Sequence, residues 1–133
     1  MLTLIEIKKQ EDRIQQEIFM WYNNRYCTNT HPHRSLIFHV PNQNQYQLIG
    51  IGVLAGVSDL IIAHSYSIHR AAIHIYMEVK TPTGTQSPAQ VKFEQRIKAL
   101  GYDYVLVRSV DDAMRAIKLI EQREQANPST RLL

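Results

Sequence analysis

The chain of 133 residues has a single cysteine, Cys27. One thiol excludes an internal disulfide and any zinc site built on several cysteines, and it fits a reducing compartment. No stretch approaches the ~18 consecutive apolar residues that a membrane span needs. The segment Met1 to Lys9 has no basic n-region, and Glu6 cuts its apolar part, so it does not read as a signal peptide. The reading is a cytoplasmic protein. Repeats, low-complexity tracts and linkers are also missing. The glycines at 50, 52 and 56 lack the spacing of a dinucleotide fingerprint, and no helix opens behind them. They read as a turn. His31-Pro32-His33 sets two histidines two apart, but no cysteine or further close histidine completes a zinc set. That segment reads as a surface loop.

What is present suits one compact domain. Hydrophobic residues make up 44% and charged residues 20%, ordinary proportions for a chain that buries a core. The net charge of +3 permits an anionic partner such as nucleic acid without demanding one. Residues 1–125 read as a single domain, with 126–133 as a frayed tail.

Helical periodicity predicts a first helix from about Glu11 to Tyr26, with Ile14, Ile18, Trp21 and Tyr22 on its apolar stripe. Glu17 sits at the edge of that stripe, while Gln10, Glu11, Asp12, Gln15 and Gln16 take the polar side. Ser35 to Val40 is a strand interrupted by His39 and stopped by Pro41. Two further strands, from about Asp59 to His64 and from about Ala72 to Lys80, form an antiparallel hairpin. Ser87-Pro88-Ala89-Gln90 opens a second helix with a capping box, which Gly101 ends. Tyr104 to Val107 is a short buried strand. Ser109 caps a last helix whose first turn carries Asp111 and Asp112. The order is α-β-β-β-α-β-α. A helix crossover precedes the last strand, so it should pair parallel to an earlier one. The expected fold class is mixed α/β, a central mixed sheet flanked by helices.

Two strands carry charge where a buried strand should not. Asp59 interrupts an apolar run. Glu78 and Lys80 flank Val79, and period-2 alternation puts both on one sheet face. Charged side chains are almost never fully buried unless paired or bound to a metal. An Asp, a Glu and a Lys on adjacent strands suit metal-assisted hydrolysis of a phosphodiester. Mg²⁺ takes oxygen ligands, one or two of them carboxylates, with water and substrate phosphate supplying the rest. Asp59 and Glu78 can give the carboxylates and the carbonyl of Val79 a further oxygen. Lys80 can orient a water or stabilise the transition state. Gln90 and Glu17 are candidates to complete the outer shell.

These residues also stand in a recognisable order. Gly56-Val57-Ser58-Asp59-Leu60 is followed by Met77-Glu78-Val79-Lys80-Thr81, Gly84, Ser87-Pro88-Ala89-Gln90, Gly101-Tyr102 and Val110-Asp111-Asp112-Ala113. The series resembles the virus-type replication-repair nuclease (VRR-NUC) branch of the PD-(D/E)XK nucleases, whose restriction-endonuclease-like core has the same αβββαβ order. It departs at Ser58, where the family pattern has proline. The resemblance implies a Mg²⁺- or Mn²⁺-dependent DNA endonuclease. It further implies a homodimer acting on branched DNA such as four-way (Holliday) junctions, in a bacterium or a phage-infected host. The implied catalytic set is Asp59, Glu78, Lys80, Gln90 and Glu17, and the implied metal set is Asp59, Glu78 and the Val79 carbonyl. His39, Arg70, Lys92 and Arg96 are the candidates for contacts to DNA. Two other readings stay open: a DNA-binding module on this fold without catalysis, and a nuclease for linear duplex or single strands.

Overall fold

A computed structural model describes residues 2–28, 34–41 and 54–127. His31, His33, the glycines at 50 and 52 and most of the expected tail lie outside the described residues. Helix α1 spans Leu4–Tyr26 and begins seven residues before the expected start. Its start signal is Thr3-Leu4-Ile5-Glu6. The Thr3 hydroxyl accepts from the Glu6 N–H at 3.1 Å, and Glu6 accepts from the Thr3 N–H at 2.8 Å. This reciprocal cap satisfies two of the four orphan donors at a helix start.

Strands β1 (Leu36–His39), β2 (Leu60–His64) and β3 (Ile73–Val79) follow. Helix α2 (Pro88–Ala99) leads to strand β4 (Asp103–Val107), and helix α3 (Val110–Ala126) follows it. The sheet runs β1-β2-β3-β4. The first two pairings are antiparallel, and β3 with β4 is parallel, as the α2 crossover requires. The Ser87 capping box is present. At the other end of α2, Gly101 takes φ 86° while Tyr102 N–H bonds back to the Ile97 carbonyl at 3.2 Å, a left-handed helix stop that suits glycine.

Alternation along the strands sorts the two faces. Leu60, Ile62, Ile75, Met77 and Val79 pack against Ile18 and Tyr22 of α1 and Ala113, Ile117 and Ile120 of α3. Burying one such side chain contributes about 1.5–3 kcal/mol. Tyr76 and Tyr104 face the other way, onto Phe93 and Ile97 of α2. Within the first core, His64 is fully buried; its Nδ1 meets the Tyr22 hydroxyl at 2.6 Å and its Nε2 the Glu121 carboxylate at 3.0 Å. It ties the far end of β2 to both helices.

Candidate active site

The strand register sets the acids opposite each other. Leu60 pairs with Met77, so one step further along the antiparallel ladder Asp59 faces Glu78. Asp59 Oδ2 accepts the Val79 N–H at 2.8 Å. That side chain stands in for the backbone acceptor that would otherwise close this rung. A strand residue points its N–H and C=O to the same edge. The next N–H, of Lys80, bonds to the Val107 carbonyl of the β4 segment at 3.0 Å. The Val79 carbonyl therefore projects toward Asp59 and not toward β4. Ser58 precedes Asp59 at the entry to the strand. Ser58 is fully buried and its hydroxyl donates to the Leu60 carbonyl at 3.3 Å.

Glu78 is 1% exposed. Burial pushes its carboxyl up to about 10; a hydrogen bond to Asp59 and repulsion from its charge add to the rise, while Lys80 opposes it. At neutral pH the bare pair therefore holds a proton on Glu78, and a cation between the carboxyls would replace it. Among the described residues no three or more His, Cys, Asp and Glu side chains gather as a metal cluster. The donor set is sparser, two carboxylates and a carbonyl. It suits a hard cation that keeps waters and substrate oxygens in its shell, as Mg²⁺ does.

Lys80 follows on the Glu78 face, half-buried. Its stem runs past Gly84, where an added Cβ would lie 3.6 Å from Lys80 Cδ and 3.0 Å from Thr81 Oγ1. The Thr81–Gly84 turn is closed by Arg108, whose Nη1 donates to the Thr81 carbonyl at 2.6 Å and the Gly84 carbonyl at 2.7 Å. Arg108 was not among the expected residues. Its partners are main-chain oxygens brought near only by the β3–β4 pairing, and no sequence signal announces that.

Of the two α1 carboxylates, the expected Glu17 and Glu11, it is Glu11 that lies nearer the charges of the strands. Glu17 is exposed, whereas Glu11 is half-buried and electrostatically linked to both Lys80 and Asp59. Burial raises the Glu11 carboxyl, Lys80 draws it back down, and Asp59 pushes it up. The helix phase explains the difference. Glu11 lies seven residues before buried Ile18, in line with it, while Glu17 is adjacent to Ile18 and turned about 100° away.

Gln90 is held near by its helix start. Gly56, at φ 80°, sits so close to α2 that an added Cβ would lie 2.3 Å from the Ala89 carbonyl oxygen. The turn leading to Asp59 thus rests on the first turn of α2. The Gln90 carbonyl oxygen accepts the Ser87 N–H at 2.8 Å, which leaves its amide NH₂ as the group free to serve a substrate. His39 touches the site from β1. Its Nδ1 lies 2.9 Å from the Asp59 carbonyl oxygen and 3.1 Å from Gln15 Nε2. Lys92 and Arg96 line an apolar groove with Leu54, Ala55, Phe93 and Leu100, whose lining includes neither Asp59 nor Glu78. Arg70 is at the opposite end of the β2–β3 hairpin, its guanidinium 5.8 Å from the Tyr66 ring centre. Five strand residues, about 17 Å at ~3.4 Å each, separate that end from Asp59.

No protein-family model matches the sequence, and no curated protein does. Solved structures do. One described as a VRR_NUC domain protein is 27% identical, with a TM-score of 0.63, over 81% of this chain and 84% of its own. A second, described as a VRR_NUC domain, is 15% identical, with a TM-score of 0.57, over 82% of this chain and 95% of its own; it speaks for the fold alone. The chain thus has the fold of VRR_NUC domain structures, and its sequence is similar to the first of them.

Proposed function

We propose that this protein is a metal-dependent DNA endonuclease. The nuclease assignment follows the VRR_NUC structures it resembles. The observation that carries the chemistry is Glu78, 1% exposed, facing Asp59 at the open end of the β2–β3 ladder. A buried carboxyl facing a second carboxylate is unfavourable unless protonated or bridged. Asp59, Glu78 and the Val79 carbonyl would hold Mg²⁺ or Mn²⁺. When bound, the ion would polarise the phosphate and acidify a water.

The chain's own groups do the rest. Lys80 projects from the same face as Glu78, where its ammonium can orient the attacking water and offset charge on the phosphorane-like transition state. Glu11, which feels the Lys80 charge, is the group we assign to take the water's proton. Water oxygen bonds to phosphorus as the P–O bond to the leaving nucleotide breaks. The Gln90 amide and His39 stand at the edges, and Lys92 and Arg96 offer positive charge on α2 for the phosphates that flank the cut. The family resemblance extends the reading to branched DNA and a homodimer, since two symmetric cuts across a junction call for two symmetric sites.

The test uses labelled four-way junction, linear duplex and single strand, each with Mg²⁺, Mn²⁺ or EDTA. Junction cutting with either metal and none in EDTA is expected, and Glu78→Gln or Lys80→Ala should lower the rate by about 100-fold or more with DNA binding retained. No cleavage of any substrate would leave only a DNA-binding module. Cutting confined to linear duplex or single strand would remove the junction assignment.

A further inference from the structure

We propose that Tyr104 is a positioning residue for Glu78, and that Gln86 sets the direction in which the Tyr104 hydroxyl acts. The inference rests on the nuclease reading, because Glu78 is the group whose placement matters.

Tyr104 aligns with Tyr76 across the parallel β3–β4 pairing. Glu78 is two residues beyond Tyr76 and on the same face. Both Tyr104 and Glu78 are buried, at 7% and 1% exposure. The Tyr104 hydroxyl oxygen lies 3.5 Å from Glu78 Oε1. Behind it runs a chain of polar groups to the surface. Gln86 Nε2 is 3.1 Å from the Tyr104 hydroxyl and 2.9 Å from Glu94 Oε1, and Lys98 Nζ donates to Glu94 Oε2 at 2.6 Å.

The direction of every link follows from what each group can donate. Lys98 and Gln86 hold the Glu94 carboxyl below its usual range, so it is ionised and accepts only. The Gln86 group facing it must then be the NH₂, which has two hydrogens. One goes to Glu94 and the other to the Tyr104 oxygen. With that oxygen accepting, the single hydroxyl hydrogen of Tyr104 is left to point at Glu78. The ring that carries it packs against Phe93, with centroids 6.3 Å apart, which restrains where the hydroxyl sits. The last link is the longest, so Tyr104 supplies orientation more than bond strength. It presents one Glu78 oxygen to α2's side and turns the other toward Asp59, the geometry a bridging cation needs.

The experiment measures Mn²⁺ binding to the full chain by titration calorimetry without DNA, and cleavage kinetics beside it. Tyr104→Phe keeps the ring packing and removes the hydroxyl. It should weaken Mn²⁺ binding about tenfold, while KM for DNA at saturating Mn²⁺ stays within about twofold of the parent, because no DNA contact is lost. Gln86→Met should move Mn²⁺ affinity the same way. The double variant should bind no more weakly than Tyr104→Phe alone, since Gln86 acts through the tyrosine. Parent-like Mn²⁺ affinity in Tyr104→Phe overturns the proposal. Should that variant fail to fold, parent-like affinity in Gln86→Met overturns it instead. Additive losses in the double variant overturn the part assigned to Gln86. Glu78→Gln separates the two layers. If it binds Mn²⁺ like the parent, the metal reading itself falls. If it loses Mn²⁺ while Tyr104→Phe does not, only the positioning role falls.

Discussion

Glu11 and Glu17 stand six residues apart on one helix; Glu11 is half-buried and feels the charges of Lys80 and Asp59, while Glu17 is exposed. If Glu11 supports Lys80 and the reacting water, Glu11→Gln should lower the cleavage rate by at least about tenfold. Glu17→Gln should stay within about twofold, as exposed surface changes do. Equal losses, or a larger loss at position 17, would remove Glu11 from the site. At this scale legibility was uneven. Glu78 and Lys80 were readable because a strand's period of two leaves no choice of face. The helix acid was harder to choose, because period 3.6 must be phased from the right residues. Glu17, three after Ile14 and four before Trp21, lies at the edge of a stripe that also includes Ile18 and Tyr22. The fully buried residues are Ile18 and Tyr22, and their line runs back to Glu11. Thr3 and Glu6, which cap the true start, would have drawn Glu11 into the helix body.

Between elements, the joint that matters is Gly56 against α2. Read from sequence it is a turn glycine. In the fold it carries two constraints, a φ of 80° and an Ala89 carbonyl oxygen 2.3 Å from where a Cβ would stand. The obstacle is backbone in a capped helix start, so it cannot step aside as a flexible side chain can. Gly56→Ala should therefore cost more than about 2 kcal/mol in urea unfolding, and should slow cleavage as Asp59 shifts with its turn. Gly101→Ala is the control. Its φ of 86° is similar, but nothing lies within 4 Å of the added carbon, so about 1–2 kcal/mol of backbone strain is all that is expected. Equal costs at the two positions would show that the contact with α2 does not matter. The turn chemistry was visible in the sequence, whereas the close approach was not, because it exists only once α2 is docked.

For the whole molecule, the buried Glu78 carboxyl makes stability depend on pH. Glu78 in the folded chain keeps its proton up to about 10, against an ordinary value of 4.5. Between those limits the folded state binds a proton that the unfolded state releases, so stability falls as pH rises through that window. The slope from this group is at most about 1.4 kcal/mol per pH unit. Unfolding in EDTA from pH 5 to 9 should show that slope in the parent and a shallower one in Glu78→Gln, which needs no proton to be neutral. Mg²⁺ should flatten the parent's slope by stabilising the ionised pair. Identical slopes for parent and variant in EDTA would contradict the protonated, buried Glu78. The architecture itself was largely legible. Each strand or helix has its own period, and the crossover through α2 dictates a parallel β4. What could not be read was where groups distant in sequence meet, as Arg108 meets the Thr81 and Gly84 carbonyls. One of those meetings bears on how such proteins are judged from sequence. The Asp59 carboxylate closes the last rung of the ladder by taking the Val79 N–H, so the fold has its own use for it. A descendant that had stopped cutting DNA would still be held to that aspartate. Glu78 has no comparable duty to the scaffold, and its presence is the better witness that a chain of this kind still works.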